Sequence, residues 1–262
     1  LFNTFLIYII NLIYIINMLR RNILNEIKNK KHFLLVRHGQ SIWNHDSKFT
    51  GWTDIPLTID GRNEAKQIAS TLYENNIYPN LYFSSVLERC LDTSNIIKRY
   101  MKMEIRDFET KTHTTWRLNE KHYGTLEGIP RELIREQYGS KFTSMMRNNF
   151  YMKPPVLKEL PLVNDYSVYK NCYFENMRNG ESKENVLGRL LPYYENDIMY
   201  TLNKESNVPI VITHKHCIRV LLKYLLRISD EDFEDFRLND KTILKINYDE
   251  ELNFIDYDEI QY

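Results

Sequence analysis

Short, strongly apolar runs that each stop at a polar residue constrain the fold of this chain most. Residues 32–37 (HFLLVR), Leu81–Ser84 (LYFS) and Pro209–Thr213 (PIVIT) are runs of this kind. Unbroken apolar runs of this length mark strands covered on both faces, because a half-exposed strand alternates instead. Helical spacing fills the intervals. Residues 61–73 place Ala65, Ile68, Ala69 and Leu72 on one side, and residues 87–100 do the same with Leu87, Leu91, Ser94 and Ile97. Residues 181–199 keep Val186, Leu190 and Tyr194 in step, with a kink expected at Pro192. A further helix is expected from the end of PIVIT to Arg227, and Thr242–Tyr248 alternates as a last strand. Alternating strands and helices predict a three-layer α/β fold, a mostly parallel sheet with helices on both faces. Ligands of such sheets sit beyond the carboxyl ends of the strands.

The chain has 262 residues, which suits one such domain, here residues 31–262. Residues 101–180 are irregular and contain Pro154-Pro155, so they read as an insertion over the sheet. Residues 1–30 form an apolar and then basic extension. Residues 1–19 would reach about 28 Å as a helix, enough to cross a bilayer. Asn3, Asn11 and Asn17 interrupt that stretch, and Arg20 and Arg21 follow it. Two readings stay open: an anchor or organelle-targeting segment with membrane contact, or a stretch absent from a working cytoplasmic protein that starts at Met18. The formal net charge is zero, so no global field draws nucleic acid to the chain. Cys90, Cys172 and Cys217 are too few and too scattered for a disulfide framework or a zinc site.

Two distant segments, Arg37-His38-Gly39 and Thr213-His214, each follow an apolar strand and are expected to meet at one crevice. An imidazole there can attack a phosphoryl group and hold it covalently. The neighbouring guanidinium can grip phosphoryl oxygens in a bidentate fork, and glycine lets the backbone turn beside them. Isolated, an Arg-His-Gly triplet is also what a chance loop contains. His214-Lys215-His216 offers no third ligand at a metal-binding spacing, so no metal is expected.

The stretches LVRHGQSIWN, FTGWTDIPLT and GRNEA, followed by TWRLNEKHYGTLEG at 115–128, resemble the 2,3-bisphosphoglycerate-dependent phosphoglycerate mutases of the histidine phosphatase superfamily. The resemblance runs from about residue 32 to about residue 255. It implies that His38 is the phosphorylated nucleophile, with Arg37, Arg89, His214 and Asn44 around the phosphoryl group. Glu120 is implied as the general acid/base. Thr50 and Gly51 are implied at the substrate carboxylate, and Tyr123, Arg131 and Arg147 at the remaining anionic groups. The implied partners are phosphoglycerates, with 2,3-bisphosphoglycerate as priming donor and a dimer or tetramer of this chain. Each role has a plainer competitor: Glu120 pairing with Arg117 on a solvated loop, Arg89 exposed on its helix, Tyr123 in the core. Trp43, Trp52 and Trp116 read as packing residues, and His113 and His122 as structural or exposed.

The chain departs from the family where these residues gather. The family has His-Gly-Asn-Ser where this chain has His214-Lys215-His216-Cys217, and Lys215 either adds a cation or obstructs the pocket. Pro130-Arg131 replaces Asn-Lys, Asn148 replaces the second of two arginines, and Asn239-Asp240-Lys241 replaces Pro-Thr-Gly. The expected activity is interconversion of 3-phosphoglycerate and 2-phosphoglycerate through phospho-His38. The alternatives are a phosphatase or bisphosphoglycerate-handling enzyme of the same fold, and a catalytically weak binding or regulatory homologue. Gly51 argues against the synthase branch, which tends to carry a bulkier residue there.

Overall fold

The computed structural model describes residues 31–106, 108–157, 179–204 and 206–262. The extension 1–30 and Cys172 lie outside the described residues, as do residues 158–178 of the expected insertion. Among the described residues, no helix is long and apolar enough to cross a membrane.

Among the described residues, six strands form one sheet: β1 (Lys31–Arg37), β2 (Leu81–Ser84), β3 (Lys111–Thr114), β4 (Pro209–Thr213), β5 (Thr242–Tyr248) and β6 (Phe254–Gln261), in the order β3-β2-β4-β1-β5-β6. The first four in that order run parallel, and β5 and β6 are antiparallel. Successive side chains of β1 point to opposite faces. Leu34 and Val36 pack with Ile68, Leu72, Ile97 and Met101 from α2 (Ile59–Glu74) and α3 (Glu88–Glu104), the preceding α1 (Ile42–His45) being a single turn. Phe33 and Leu35 pack on the other face with Val186, Leu190 and Leu222. Those last residues belong to α6 (Lys183–Tyr193) and α7 (Lys215–Leu225). The three-layer α/β architecture with helices on both faces is therefore present. Ile68 is fully buried, and truncating such a residue to Ala typically costs ~2–5 kcal/mol.

The expected elements fall close to their observed bounds, with three differences. Pro192 lies inside α6, and the next residues, Tyr194–Ile198, take a π-helical turn before Met199–Thr201 resumes. Proline cannot donate to the carbonyl four residues back, so the helix widens rather than breaking. Strands β3 and β6 were not expected. KTHT is exposed at every position and FIDYDEIQ is mostly so, because both are edge strands and neither carries a buried apolar run. The helix after PIVIT begins at Lys215 with His214 as its N-cap.

Beyond β3, the described residues up to Leu157 contribute to the cover of the cleft. They form two short 3₁₀ turns, then α4 (Arg131–Tyr138) and α5 (Ser140–Asn148). Phe49, Tyr123, Leu126, Ile134 and Met146 make a small apolar cluster under this cover.

Candidate active site

Topology alone brings three segments to one point. β1 pairs in parallel with β4, placing Arg37 opposite Thr213, and β2 pairs with β4, placing Ser84 opposite Ile212. The loops leaving all three strands therefore emerge side by side. β5 runs the other way beside β1, with Ile243 opposite Val36, so the residues before β5 arrive at the same edge. A cleft of about 360 Å³ opens there.

Its lining contains Arg37, His38, Asn44, Thr50, Gly51, Arg89, Glu120, Tyr123, Arg131 and Arg147, all expected from the sequence. His214 is fully buried beneath them, its ring 4.8 Å from that of His38. Gln40 and Glu64, to which sequence reasoning gave no role, also line the cleft, as do Lys215, His216, Asp240 and Lys241 from the departures expected to cluster at the site.

His38 lies on the loop after β1, where its N–H donates to the Thr213 carbonyl at 3.0 Å. Its Nδ1 is 2.6 Å from the Gly39 carbonyl oxygen. A carbonyl only accepts, so Nδ1 carries the proton. Burial, with Arg89 and Arg37 nearby, holds the imidazole pKa well below its ordinary value. The ring is therefore neutral at pH 7, with the Nε2 lone pair available as a nucleophile. A Cβ on Gly39 would overlap the Gly61 backbone at the start of α2, so the tight turn beside His38 requires glycine. His214 is held neutral by burial and by the same arginines, and contacts Ser85 Oγ through Nε2 at 2.9 Å.

Arg89 is not an exposed helix residue. It is buried in the first turn of α3 and donates to the carbonyls of Thr53 at 2.9 Å and Gly51 at 2.7 Å. These bonds pin the 50–53 loop against the cleft. The Thr50 hydroxyl on that loop and Arg131 Nε are buried and lack a hydrogen-bond partner among the described residues. Gly51 has φ +55°, and a Cβ there would overlap the Glu127 carboxylate. Both features require glycine. Asn44 lines the cleft and closes a capping box with Ser41, its Oδ1 accepting the Ser41 N–H at 3.3 Å.

Glu120 does not pair with Arg117. Its Oε1 accepts the N–H of Lys121 at 2.7 Å. Burial raises its carboxyl pKa above the ordinary range, against the opposing pull of that N–H, Arg89 and Arg37. A carboxyl poised in this way can give and recover a proton. The surrounding loop is held by groups sequence reasoning missed. Arg189 forms a buried ion pair with Glu181 at 2.7 Å and donates to the carbonyls of Arg117, Asn119 and Glu120. Trp52 Nε1 also donates to the Glu120 carbonyl, so Trp52 orients the loop as well as packing. Glu127 accepts from the N–H groups of Trp52, Thr53 and Tyr123 and from the Thr53 hydroxyl. His122 is buried and structural, and His113 is exposed.

Tyr123 lines the cleft and packs on Phe49, so core and site roles coincide. Its hydroxyl lies 2.8 Å from His216 Nε2. Lys215 neither fills the cleft nor stands alone as a cation, because its Nζ pairs with Asp240 at 2.9 Å. Among the described residues, no group of acidic, histidine or cysteine side chains is arranged to hold a metal ion. Cys90 and Cys217 are buried free thiols.

Residues 33–257 match the family model of the histidine phosphatase superfamily, branch 1. The chain belongs to this superfamily. A protein of Buchnera aphidicola subsp. Cinara cedri named 2,3-bisphosphoglycerate-dependent phosphoglycerate mutase is 34% identical over 215 residues, covering 80% of this chain and 90% of that protein. A protein of Staphylococcus haemolyticus with the same name is 34% identical, covering 86% and 97%. Among solved structures, a mycobacterial glucosyl-3-phosphoglycerate phosphatase superposes with a TM-score of 0.64 at 18% identity, covering 89% and 98%. Bacillus stearothermophilus YhfR superposes with a TM-score of 0.63 at 20% identity, covering 86% and 94%. At these identities the superpositions show the fold alone. As a member of the histidine phosphatase superfamily, the chain is an enzyme.

Proposed function

We propose that this enzyme interconverts 3-phosphoglycerate and 2-phosphoglycerate through phospho-His38. The observation that carries this reading is the Nδ1–H bond of His38 to the Gly39 carbonyl, which leaves Nε2 as the nucleophile in a cleft lined by Arg37, Arg89, Arg131 and Arg147. The unpartnered Thr50 hydroxyl and Arg131 Nε fit a ligand rich in acceptor oxygens. The same groups fit 2,3-bisphosphoglycerate, which when bound supplies the phosphoryl group that primes the enzyme.

His38 Nε2 forms a bond to phosphorus as the bond from phosphorus to the leaving oxygen breaks. Glu120, with its raised pKa, gives its proton to that oxygen. In the return transfer, Glu120 takes the proton of the attacking hydroxyl while the His38–phosphorus bond breaks. Arg37 and Arg89 offset charge on the transferring group. No metal enters this scheme. The mutase names of relatives about one-third identical favour this substrate. The acting form is proposed to be a dimer or tetramer of this chain.

A second reading, hydrolysis of phospho-His38, is favoured by Asp240. This carboxylate sits on Arg37 and lowers the positive charge available to a second anionic group. The deciding experiment incubates the enzyme with 2,3-bisphosphoglycerate, maps phosphohistidine, and follows product from 3-phosphoglycerate. The mutase reading expects phospho-His38 and 2-phosphoglycerate. Inorganic phosphate without 2-phosphoglycerate would overturn it in favour of hydrolysis, and absence of phosphohistidine would overturn both.

A further inference from the structure

Two departures from the family that lie about 25 residues apart in sequence touch in space. Asp240 Oδ1 lies 3.0 Å from Arg37 and 2.9 Å from Lys215 Nζ, and its Oδ2 lies 3.1 Å from Lys215. The sheet explains the meeting. Lys215 follows β4 on one side of β1, and Asp240 precedes antiparallel β5 on the other, so both flank Arg37 at the end of β1. All three side chains line the cleft. Asp240 is 50% exposed and Lys215 29%, so the pair stands at the mouth rather than under the floor. Burial opposes ionisation of Asp240, but Arg37 and Lys215 outweigh it and keep its pKa below the ordinary value.

The surroundings show what this carboxylate does. Arg37 is one of the two arginines beside His38, and its Nε is buried without a hydrogen-bond partner among the described residues. A ligand phosphoryl group at His38 and the Asp240 carboxylate thus address the same guanidinium. Glu64 and Glu120 are the other acids in the cleft lining, and Lys241 is a further cation beside Asp240. Glu64 accepts the N–H of Gln40 and Glu120 that of Lys121, whereas Asp240 bonds Arg37 itself. Asp240 is therefore the acid placed where an incoming polyanion passes.

We propose that Asp240 is a specificity-determining residue that still admits 2,3-bisphosphoglycerate but weakens its hold more than that of ligands with one phosphoryl group. Lys215 is its counter-ion and holds it against Arg37. Repulsion from a fixed carboxylate grows with ligand charge, so Asp240 opposes a bisphosphorylated ligand more than a monophosphorylated one. A chain with both residues keeps a balanced mouth. A chain with either one alone does not.

This inference rests on the reading that the cleft takes a phosphoryl group at His38. The test measures dissociation constants of 2,3-bisphosphoglycerate, 3-phosphoglycerate and inorganic phosphate for the parent and three variants: Asp240→Asn, Lys215→Met, and both together. Asp240→Asn should tighten 2,3-bisphosphoglycerate about tenfold and inorganic phosphate about threefold or less. The gain in their ratio should shrink at high salt, as a charge effect must. Lys215→Met should weaken 2,3-bisphosphoglycerate, and the double variant should return its affinity toward the parent value. An unchanged ratio in Asp240→Asn would overturn the role of Asp240 while leaving the functional reading intact. Equal tightening of all three ligands would reduce Asp240 to a plain competitor and overturn the selectivity. If no variant binds any of the three ligands, the reading of the cleft itself fails, and the inference fails with it.

Discussion

The hydroxyl of Tyr123 lies 2.8 Å from Nε2 of His216, and both side chains are buried at the wall of the cleft. Burial pushes the tyrosine pKa up to about 12 and, with Lys183 and Lys121 nearby, holds the histidine well below its ordinary value. The pair is therefore a neutral hydrogen bond at pH 7. His216→Leu removes the partner and leaves a buried hydroxyl unsatisfied, a loss of about 1–3 kcal/mol. Urea denaturation of the ligand-free enzyme should show it, and His216→Gln should recover part of the loss. Equal stability of the Leu variant and the parent would mean that the bond contributes nothing.

Glu120→Gln should lower turnover with 3-phosphoglycerate far more than it lowers phosphorylation by an aryl phosphate. A good leaving group departs without a proton, so an acid matters less there. Comparing kcat for the two substrates checks this. Equal losses would assign Glu120 a structural role instead.

His38→Ala should abolish phosphoenzyme formation. In the parent, the acid limb of phosphorylation should lie below pH 6.5, because the imidazole pKa is lowered and the ring stays neutral through the ordinary histidine range. The sign for stability is the same. His38, His214 and His216 are all held neutral in the folded state. Below about pH 6.5 the unfolded chain takes up protons that the folded chain refuses. Stability is then lost as pH falls, at up to about 4 kcal/mol per pH unit while all three remain neutral. Chemical denaturation between pH 7.5 and 5 measures this slope, and a flat profile would contradict it.

Arg189→Met breaks the buried pair with Glu181 and frees the carbonyls that hold the Glu120 loop. Leaving Glu181 buried and unpaired costs about 3–5 kcal/mol. The melting temperature should fall by many degrees. In whatever fraction remains folded, kcat with 3-phosphoglycerate should fall while phosphorylation by an aryl phosphate is better preserved. A variant as stable as the parent would refute this role.

Activity should survive exhaustive treatment with a chelator, since the proposed chemistry places charge neutralisation on Arg37, Arg89, Arg131 and Arg147. Loss of turnover that a divalent ion restores would show that a metal is needed.

The layers of this fold were legible because HFLLVR, LYFS and PIVIT are buried on both sides and must be apolar along their whole length. Strands β3 and β6 were not, since an edge strand carries no such demand. His38 and its arginine could be found because they follow a strand directly. Resemblance supplied Glu120, Tyr123 and Arg147, whose approach to His38 depends on a cover with little periodicity. Glu127, Glu181 and Arg189 escaped because they bind backbone. Nothing in the identity of a glutamate tells which distant N–H groups it will receive. Lys215 and Asp240 were visible as separate departures, and only the pairing of β1 with both β4 and β5 joins them.

The Glu127 carboxylate ties the loop of Trp52 and Thr53 to the backbone of Tyr123. Arg89 ties the same loop to α3. One wall of the cleft is thereby a single rigid jamb, unable to swing without tearing buried bonds on two elements. Whatever opening and closing a ligand demands is left to the other side of the doorway. There the fastening of Lys215 to Asp240 is partly in water, so loosening it costs far less than breaking the buried bonds of the jamb.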